Sequence, residues 1–508
     1  MMNFLRKHFS RTFFMLIMIV LEVLFVISLF KWFRNQAAWI GIVLRVLSIF
    51  IVMSIINNSK HLSNDMLYIL VIMISPVFGT ALYLLLGANL FTSKTFFNLL
   101  NSTLQNLKYY SRNEALLEEL NEKYPADKGV FHYMQKSAGF PWYRNEKASY
   151  YSFGDYGYPI MLEELRKAER FIFIEYFIIE EGRMWNGILE ILEEKARQGV
   201  DVRVMYDDLG SFFTLSGKYA RELEEKGIKC IPFNRINPIL NIIINHRDHR
   251  KIMVIDGKIA FSGGVNMADE YINVKHPYGR WKDNIIKISG EAVWSYTVMF
   301  LTHWNAFRKD DPDFSVYKYV DPEIRETDGY IAPYAETPLG NERTAQNIYF
   351  NILDKANDYC YIYTPYLIID TDFINTLVLA AKRGVDVRLI TPGIPDKKII
   401  YMITQSFYAP LIEGGVRIFE YTPGFVHSKV FVSDDKISTV GTVNLDYRSL
   451  YLHFENGTCF YDCSVIKDIK QDFIDAFAES REIKLEDTRH GIIRTFLVSV
   501  LKLFASLM

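Results

Sequence analysis

Cysteine is scarce. The 508 residues hold four, Cys230, Cys360, Cys459 and Cys463, with no C-x-x-C pair among them. That excludes a thiolate zinc site and a disulfide-stapled scaffold, and the four read as ordinary thiols, Cys459 and Cys463 being the one weakly suggestive spacing. Neither sign of charge is in excess: Lys+Arg 57 stands against Asp+Glu 59, a net of -2. No overall basic field exists to hold a nucleic-acid backbone, so nucleic acid is not an expected partner. Histidine is also rare, with 10 in the chain. Apolar residues are not rare. They make up 50% of the chain beside a normal 23% of charged ones, which implies a soluble body of two or three domains, at roughly 100–200 residues each, with an apolar portion attached.

The apolar portion is the first hundred residues. Runs 12–30, 37–56 and 66–86 carry only Glu22, only Arg45 and no charge, respectively. Each has about the 20 residues that a helix needs to cross a bilayer. The first run leads directly into Lys31-Trp32-Phe33-Arg34, the mark of a retained anchor and not of a cleaved signal. In an antiparallel hairpin of the first two runs, Glu22 and Arg45 fall at the same depth, about 13 Å at 1.5 Å per residue, and are expected to pair. The third run holds Ser75-Pro76 and Gly79, so it is expected to kink or re-enter. Basic residues at 6, 7 and 11 slightly favour a cytoplasmic amino terminus, which three full spans would convert into an external body. At the other end, 491–508 is apolar with Thr495, Ser499, Lys502 and Ser506 on one narrow stripe, the pattern of a helix lying in the membrane interface.

From about residue 106 the pattern becomes mixed, and it repeats. Ala196-Arg197-Gln198-Gly199-Val200-Asp201-Val202-Arg203-Val204 recurs 185 residues later as Ala381-Lys382-Arg383-Gly384-Val385-Asp386-Val387-Arg388-Leu389. Each copy follows an apolar run, 171–179 or 359–369, so the order is helix, strand, helix, glycine turn, strand. Continuous apolar strands alternating with amphipathic helices imply two α/β halves, each with a sheet covered on both faces. The expected organisation is a membrane region over 1–105, a first half over 106–330, a second half over 331–487 and an interfacial tail over 488–508.

One further correspondence carries the chemistry. His249, Lys251, Asp256 and Gly263-Gly264-Val265-Asn266 match His427, Lys429, Asp434 and Gly441-Thr442-Val443-Asn444 at identical spacing, H-x-K-x4-D-x6-G-[GT]-V-N. His and Lys two apart on a strand share a face, so each motif aims an imidazole and an ammonium at one point. Two Lys with Asn266 and Asn444 suit the shifting negative charge of a phosphodiester, stabilised without a metal. One imidazole can attack phosphorus while the other protonates the leaving alkoxide, a pair of roles that two pseudo-twofold half-sites supply. The residue pattern leaves open which histidine does which. Asp256 and Asp434 belong to the candidate catalytic motif but are expected to fix the turn after its strand.

The doubled motif resembles that of the phospholipase D superfamily. The context Asn245-His246-Arg247-Asp248-His249-Arg250-Lys251, Ile255-Asp256-Gly257 and Gly263-Gly264-Val265-Asn266, with Tyr271, is similar to bacterial cardiolipin synthases in particular. The resemblance covers nearly the whole chain. It implies two phospholipase D-like α/β halves with mixed sheets behind a multi-pass membrane region, and a catalytic body at the cytoplasmic face of the cell membrane, against the reading of the basic residues. It implies a phosphatidyltransferase that joins two phosphatidylglycerol molecules into cardiolipin and releases glycerol, through a phosphohistidine on His249 with His427 as acid and base; a phospholipase D-type hydrolase is the nearest alternative. It places Asp283 and Glu455 where the family puts the acids that orient the imidazoles. Two departures stand out: the extra apolar run, and His453 where the family often has Asn. No cofactor or metal is expected, since Asp207-Asp208 has no further ligand at suitable spacing and reads as a strand-ending turn. Glu175, Tyr176 and Thr364-Pro365-Tyr366 end apolar strands near the motifs, where they would either shape the substrate opening or simply pack. His246 is a weaker candidate.

Overall fold

The computed structural model describes residues 24, 27–28, 38–58, 62–84, 94–110, 112–235, 246–320, 327–340, 342–489 and 491–503. The chain divides into two compact units, one of residues 1–94, 235–245 and 499–508, the other of residues 95–234 and 246–498.

In the smaller unit, the second apolar run forms α1 (Ala38–Asn58), whose side chains are described from Val43 onward. The third forms two helices, α2 (Leu62–Ile74) and α3 (Pro76–Leu82). They part at Ser75, whose φ of -136° and ψ of 84° leave the helical region, and Pro76 opens the next turn, where a missing N–H costs nothing. Among the described residues no helix is long and apolar enough to cross a membrane. Apart from Leu24, Ile27 and Ser28, the first run lies outside the described residues, and so does the expected Glu22–Arg45 pair, through Glu22.

The larger unit holds both halves of the repeat. In the first half the strands are β1 (Lys147–Tyr151), β2 (Phe171–Tyr176), β3 (Asp201–Asp207), β4 (Lys229–Phe233), β5 (Lys251–Ile255), β6 (Ile259–Gly263) and β7 (Ile285–Ser289), in the spatial order β1-β7-β6-β5-β2-β3-β4. In the second they are β8 (Tyr330–Glu336), β9 (Tyr359–Tyr363), β10 (Asp386–Pro392), β11 (Arg417–Tyr421), β12 (Val430–Ser433), β13 (Ile437–Gly441) and β14 (Glu455–Tyr461), in the order β8-β14-β13-β12-β9-β10-β11, with short edge strands Tyr143–Arg144 and Ser480–Ile483 added. The two orders are the same list displaced by seven. In each sheet three strands run parallel and the motif strand, β5 or β12, is antiparallel to its neighbours, so both sheets are mixed.

The repeated helix–turn–strand segment shows why each half folds this way. Helix α4 (Arg183–Arg197) follows β2 and turns Trp185, Ile188 and Leu192 onto Ile172 and Ile174. Gly199 then takes φ +89°, and Gly384 takes +97° after the matching helix α5 (Thr371–Lys382), the left-handed step that ends a helix cheaply only at glycine. The other faces are covered by helices that follow the last strand of each half. Val293–Phe307 lays Phe300 on Phe173 with centroids 4.6 Å apart, and Val465–Ala478 lays Phe473 on Tyr363 at 3.9 Å. Strands buried on both sides must be apolar throughout, which explains Phe171–Tyr176 and its one exception, Glu175.

The halves exchange backbone. Arg280–Lys282 of the first pairs in parallel with Gly424–Val426 of the second, and Asp248 bridges Phe454. Buried Lys282 reaches across to Asp472 at 2.5 Å, and Tyr150 donates to the same carboxylate at 2.8 Å.

Candidate active site

These two exchanges place the catalytic candidates. The His249 amide donates to the Phe454 carbonyl at 2.9 Å, next to Glu455; the His427 amide donates to the Lys282 carbonyl at 2.8 Å, next to Asp283. Each imidazole therefore meets the carboxylate of the opposite half. His249 Nδ1 lies 2.8 Å from Glu455 Oε2 and 3.0 Å from Oε1, and His427 Nδ1 lies 2.6 Å from Asp283 Oδ2. With Nδ1 held, Nε2 is the ring atom left to react. Both imidazoles are buried where the halves meet, only 7% exposed.

Lys251 and Lys429 are buried beside them. Lys251 Nζ donates to the His249 carbonyl at 2.7 Å, and Lys429 Nζ lies 2.9 Å from His427 Nδ1 and also donates to the His427 carbonyl. Burial pulls Lys251 down to about 7, against the pull of Glu455, and Lys429 down to about 8, against Asp283 and Glu455. Burial and the nearby Lys251 hold His249 well below the usual imidazole range, and burial with Lys429 brings His427 to about 4. Burial pushes the Glu455 carboxyl well up, with Lys251 and the Thr442 hydroxyl opposing. The site thus has neutral imidazoles beside two ammonium groups that burial disfavours and that an entering anion would stabilise.

The glycine-rich end of each motif supports the opposite carboxylate differently. A Cβ on Gly264 would overlap Asp283 Oδ1, whereas at the matching position the Thr442 hydroxyl donates to Glu455 Oε2. The motif asparagines sit close behind: Asn266 accepts from the Ile178 amide at 3.2 Å and donates to the Tyr271 hydroxyl at 2.7 Å, while Asn444 donates to Asp446 at 2.9 Å and keeps a buried Oδ1 without a hydrogen-bond partner.

Asp256 and Asp434 lie at the far ends of their strands from the imidazoles. Asp256, at φ +55°, accepts from the amides of Glu169, Arg170 and Phe171 at 2.7–2.9 Å. Asp434, at φ +54°, accepts from those of Asn357, Asp358 and Tyr359 at 2.8–3.1 Å. They tie the start of β2 and of β9 to the turn after the motif strand, and they do not join the catalytic groups. Asp207 is likewise engaged elsewhere: it receives Arg247 through Nε and Nη2, and the amides of Leu209, Gly210 and Asp248.

Glu175 faces away from the cleft. In the β2–β5 register Tyr176, not Glu175, lies opposite Lys251, so Glu175 turns to the back of the sheet, 2.9 Å from His303 Nδ1 and 3.8 Å from Arg250. Thr364 donates to the Tyr366 carbonyl at 2.7 Å; Tyr366 donates to Asp396 at 2.6 Å, its ring 6.3 Å from Phe425, which itself lies 6.0 Å from His427. His246 lies 2.9 Å from the Leu452 carbonyl through Nδ1, outside the cleft.

Sequence reasoning gave His453 too little weight. Its ring is 5.8 Å from that of His249 and both its nitrogens are buried without a hydrogen-bond partner. The residue two before the other carboxylate, Trp281, holds the matching place, 5.6 Å from His427, so the half-sites differ here: an imidazole flanks one motif histidine, an indole the other. Comparing the positions two before each carboxylate would have found it.

Among the described residues, two sets of three bring ligand atoms within 4.8 Å of one another, His249 with His453 and Glu455, and Glu175 with Asp248 and His303. Lys251 faces the first and Arg250 the second, an environment unfavourable to a further cation.

The chain matches the family model described as cardiolipin synthase, PLD-like domain, over residues 161–304 and 349–477. It is 42% identical over 461 residues to an uncharacterised protein of Streptococcus mutans, covering 90% of this chain and 99% of that one. It is 34% identical over 433 residues to cardiolipin synthase 2 of Bacillus anthracis, covering 84% of each. Among solved structures, the phosphatidylserine synthase of Haemophilus influenzae superposes with a TM-score of 0.58 over 75% of this chain and 97% of that one; at 14% identity the likeness is one of fold.

Proposed function

The chain belongs to the cardiolipin synthase family of the phospholipase D superfamily and is a phosphatidyltransferase, and from that premise we propose that it moves the phosphatidyl group of one phosphatidylglycerol onto the terminal hydroxyl of a second. The observation that carries the reading is the pair of cross-half dyads, His249 with Glu455 and His427 with Asp283, beside two buried lysines.

The entering phosphodiester supplies the negative charge that Lys251 and Lys429 lack. It also raises the proton affinity of His427, which Asp283 then holds as imidazolium. His249 Nε2 attacks phosphorus, the P–O bond to the headgroup glycerol breaks, and His427 gives its proton to the departing oxygen. Glycerol leaves. The terminal hydroxyl of the second phosphatidylglycerol passes its proton to His427 and attacks phosphorus, the P–N bond breaks, and cardiolipin leaves with His249 free again. The lysines and the amides of Asn266 and Asn444 stabilise the oxygens throughout. Burial of both imidazoles keeps water from competing for the phosphohistidine.

In this reading residues 1–105 anchor the enzyme in the membrane through the apolar runs, 106–330 and 331–487 form the two halves at the cytoplasmic face, and 488–508 lies in the interface. The test is to incubate the detergent-purified protein with phosphatidylglycerol and EDTA, beside His249→Ala and His427→Ala. Cardiolipin and glycerol, absent in both variants, are expected; phosphatidic acid and glycerol would make the enzyme a hydrolase, and activity surviving either substitution would overturn the dyad.

A further inference from the structure

Catalysis on a bilayer lipid raises a physical question that the dyads do not answer: how a phosphate reaches two buried histidines while its acyl chains stay out of water. Three apolar patches on the larger unit bear on it.

The first is the loop after β3. Gly210 packs so closely on Phe177 that a Cβ would overlap the Phe177 carbonyl, and the Phe177 ring lies 4.9 Å from that of His249. Phe212 is buried in this loop, but Phe213 is 63% exposed, with exposed Lys218 beyond it. The second patch is the loop after β10, the equivalent strand of the other half. The Ile394 amide donates to the Gly424 carbonyl at 3.2 Å, one residue from the Phe425 that lies against His427. Ile394 is 39% exposed, and helix α6 (Lys398–Gln405), which follows, opens with Ile399 54% exposed. Lys397 and Lys398 stand exposed between them. The third is helix α7 (Ile492–Leu503), tied to the far end of α6 by Arg494, which donates to Gln405 at 2.7 Å. Ile492, Ile493, Phe496 and Leu497 fall on one face and are 90%, 79%, 67% and 50% exposed.

Single exposed apolar side chains are ordinary. Here the loops that follow matching strands in both halves carry them, one beside the Phe177 that meets His249 and the other beside the Phe425 that meets His427, so these two loops are the lips of an entrance to the imidazoles, and the lip on the His427 side continues into an apolar helix face. From this we propose that the two lips and residues 492–497 form a surface that dips into an anionic phospholipid bilayer, so that lipids enter the cleft sideways from the leaflet. Phe213, Ile394 and Ile399 would reach the acyl boundary, and Lys218, Lys397 and Lys398 the anionic headgroups. The proposal rests on the reading of the substrate as a bilayer lipid, and its test does not need turnover.

All four native cysteines are buried, so an introduced surface thiol can be labelled selectively. Full-length protein reconstituted in phosphatidylglycerol/phosphatidylcholine vesicles would carry an environment-sensitive fluorophore at Phe213→Cys, Ile399→Cys or Phe496→Cys. Controls would be Leu379→Cys and Ile474→Cys, two exposed apolar positions elsewhere on the body. Labels at 213, 399 and 496 are expected to shift to the blue and to lose at least about half their emission to spin-labelled acyl chains, with no such loss at 379 and 474. Labels at 213 and 399 no more quenched than the controls would overturn the proposal, even with 496 quenched. Quenching at all three sites without cardiolipin formation would keep the surface and sink the proposed reaction.

Discussion

Glu455, in the second half of the chain, holds the ring of His249, in the first, at 2.8 Å, and Asp283 of the first half returns the relation to His427 at 2.6 Å. The backbone makes this pairing unavoidable, because the amide of each histidine is bonded to the carbonyl just before the carboxylate that serves it.

Glu455→Gln and Asp283→Asn are accordingly expected to lower turnover by on the order of 10²–10⁴-fold with little change in KM, since each removes the group that fixes the tautomer and balances the imidazolium. Steady-state kinetics on both variants check this. A change confined to KM would mean that the carboxylates bind substrate instead.

The lysines give a pH dependence whose sign is fixed. Lys251 and Lys429 titrate near 7 and 8, below the usual 10.5, so the ammonium groups are lost as pH rises through that window, and KM for phosphatidylglycerol is expected to climb between pH 6.5 and 8.5. Between pH 7 and 10.5 the folded protein binds fewer protons here than the unfolded chain, so stability rises with pH over the same range. Lys251→Met is then expected to abolish activity yet raise stability at pH 7, on the order of a few kcal/mol. Thermal unfolding in detergent reads this directly, and a lower Tm in the variant would contradict it.

Gly264→Ala is expected to be as damaging to turnover as Asp283→Asn, because the added methyl occupies the place of Asp283 Oδ1. Thr442→Val, at the same motif position of the other half, removes only one hydrogen bond to Glu455 and is expected to cost about tenfold. Equal effects from the two substitutions would show that the positions are not specialised as the geometry states.

Asp256→Ala and Asp434→Ala each leave three strand-end amides without their acceptor, and each is expected to lower stability by about 1–3 kcal/mol while changing turnover per folded molecule by no more than about twofold. Comparing Tm with kcat separates the two effects. Lost turnover at unchanged Tm would return these aspartates to the catalytic set.

How far the sequence reached can be traced residue by residue. The two halves, the sequence of helix, glycine turn and strand in their repeated core, and the convergence of His249, Lys251, His427 and Lys429 were legible because the spacing of His249 to Asn266 is identical to that of His427 to Asn444 in a chain with 10 histidines. Asp283 and Glu455 were legible through resemblance, but which histidine each serves was not, since that depends on backbone exchange between segments about 145 and 205 residues apart. Glu175, which ends an apolar strand, read equally as shaping the substrate opening or as packing; its register against Ile252 turns it to the other face, a parity that sequence alone does not fix. The Asp207–Arg247 pair was hidden because Arg247 lies in the irregular segment before the motif strand, whose path no periodicity reports.

The parallel pairing of Arg280–Lys282 with Gly424–Val426 has a genetic corollary. Two equivalent modules that each kept their own acid could be inactivated one at a time, and two chains damaged in different modules could restore one another's defect only by reassembling. Because the acids here are traded, a lesion in either acid cannot be confined to its own module: it leaves the imidazole of the twin without its partner. A strain carrying two alleles, one altered in the acid of each module, should therefore behave like a null unless segments swap between molecules.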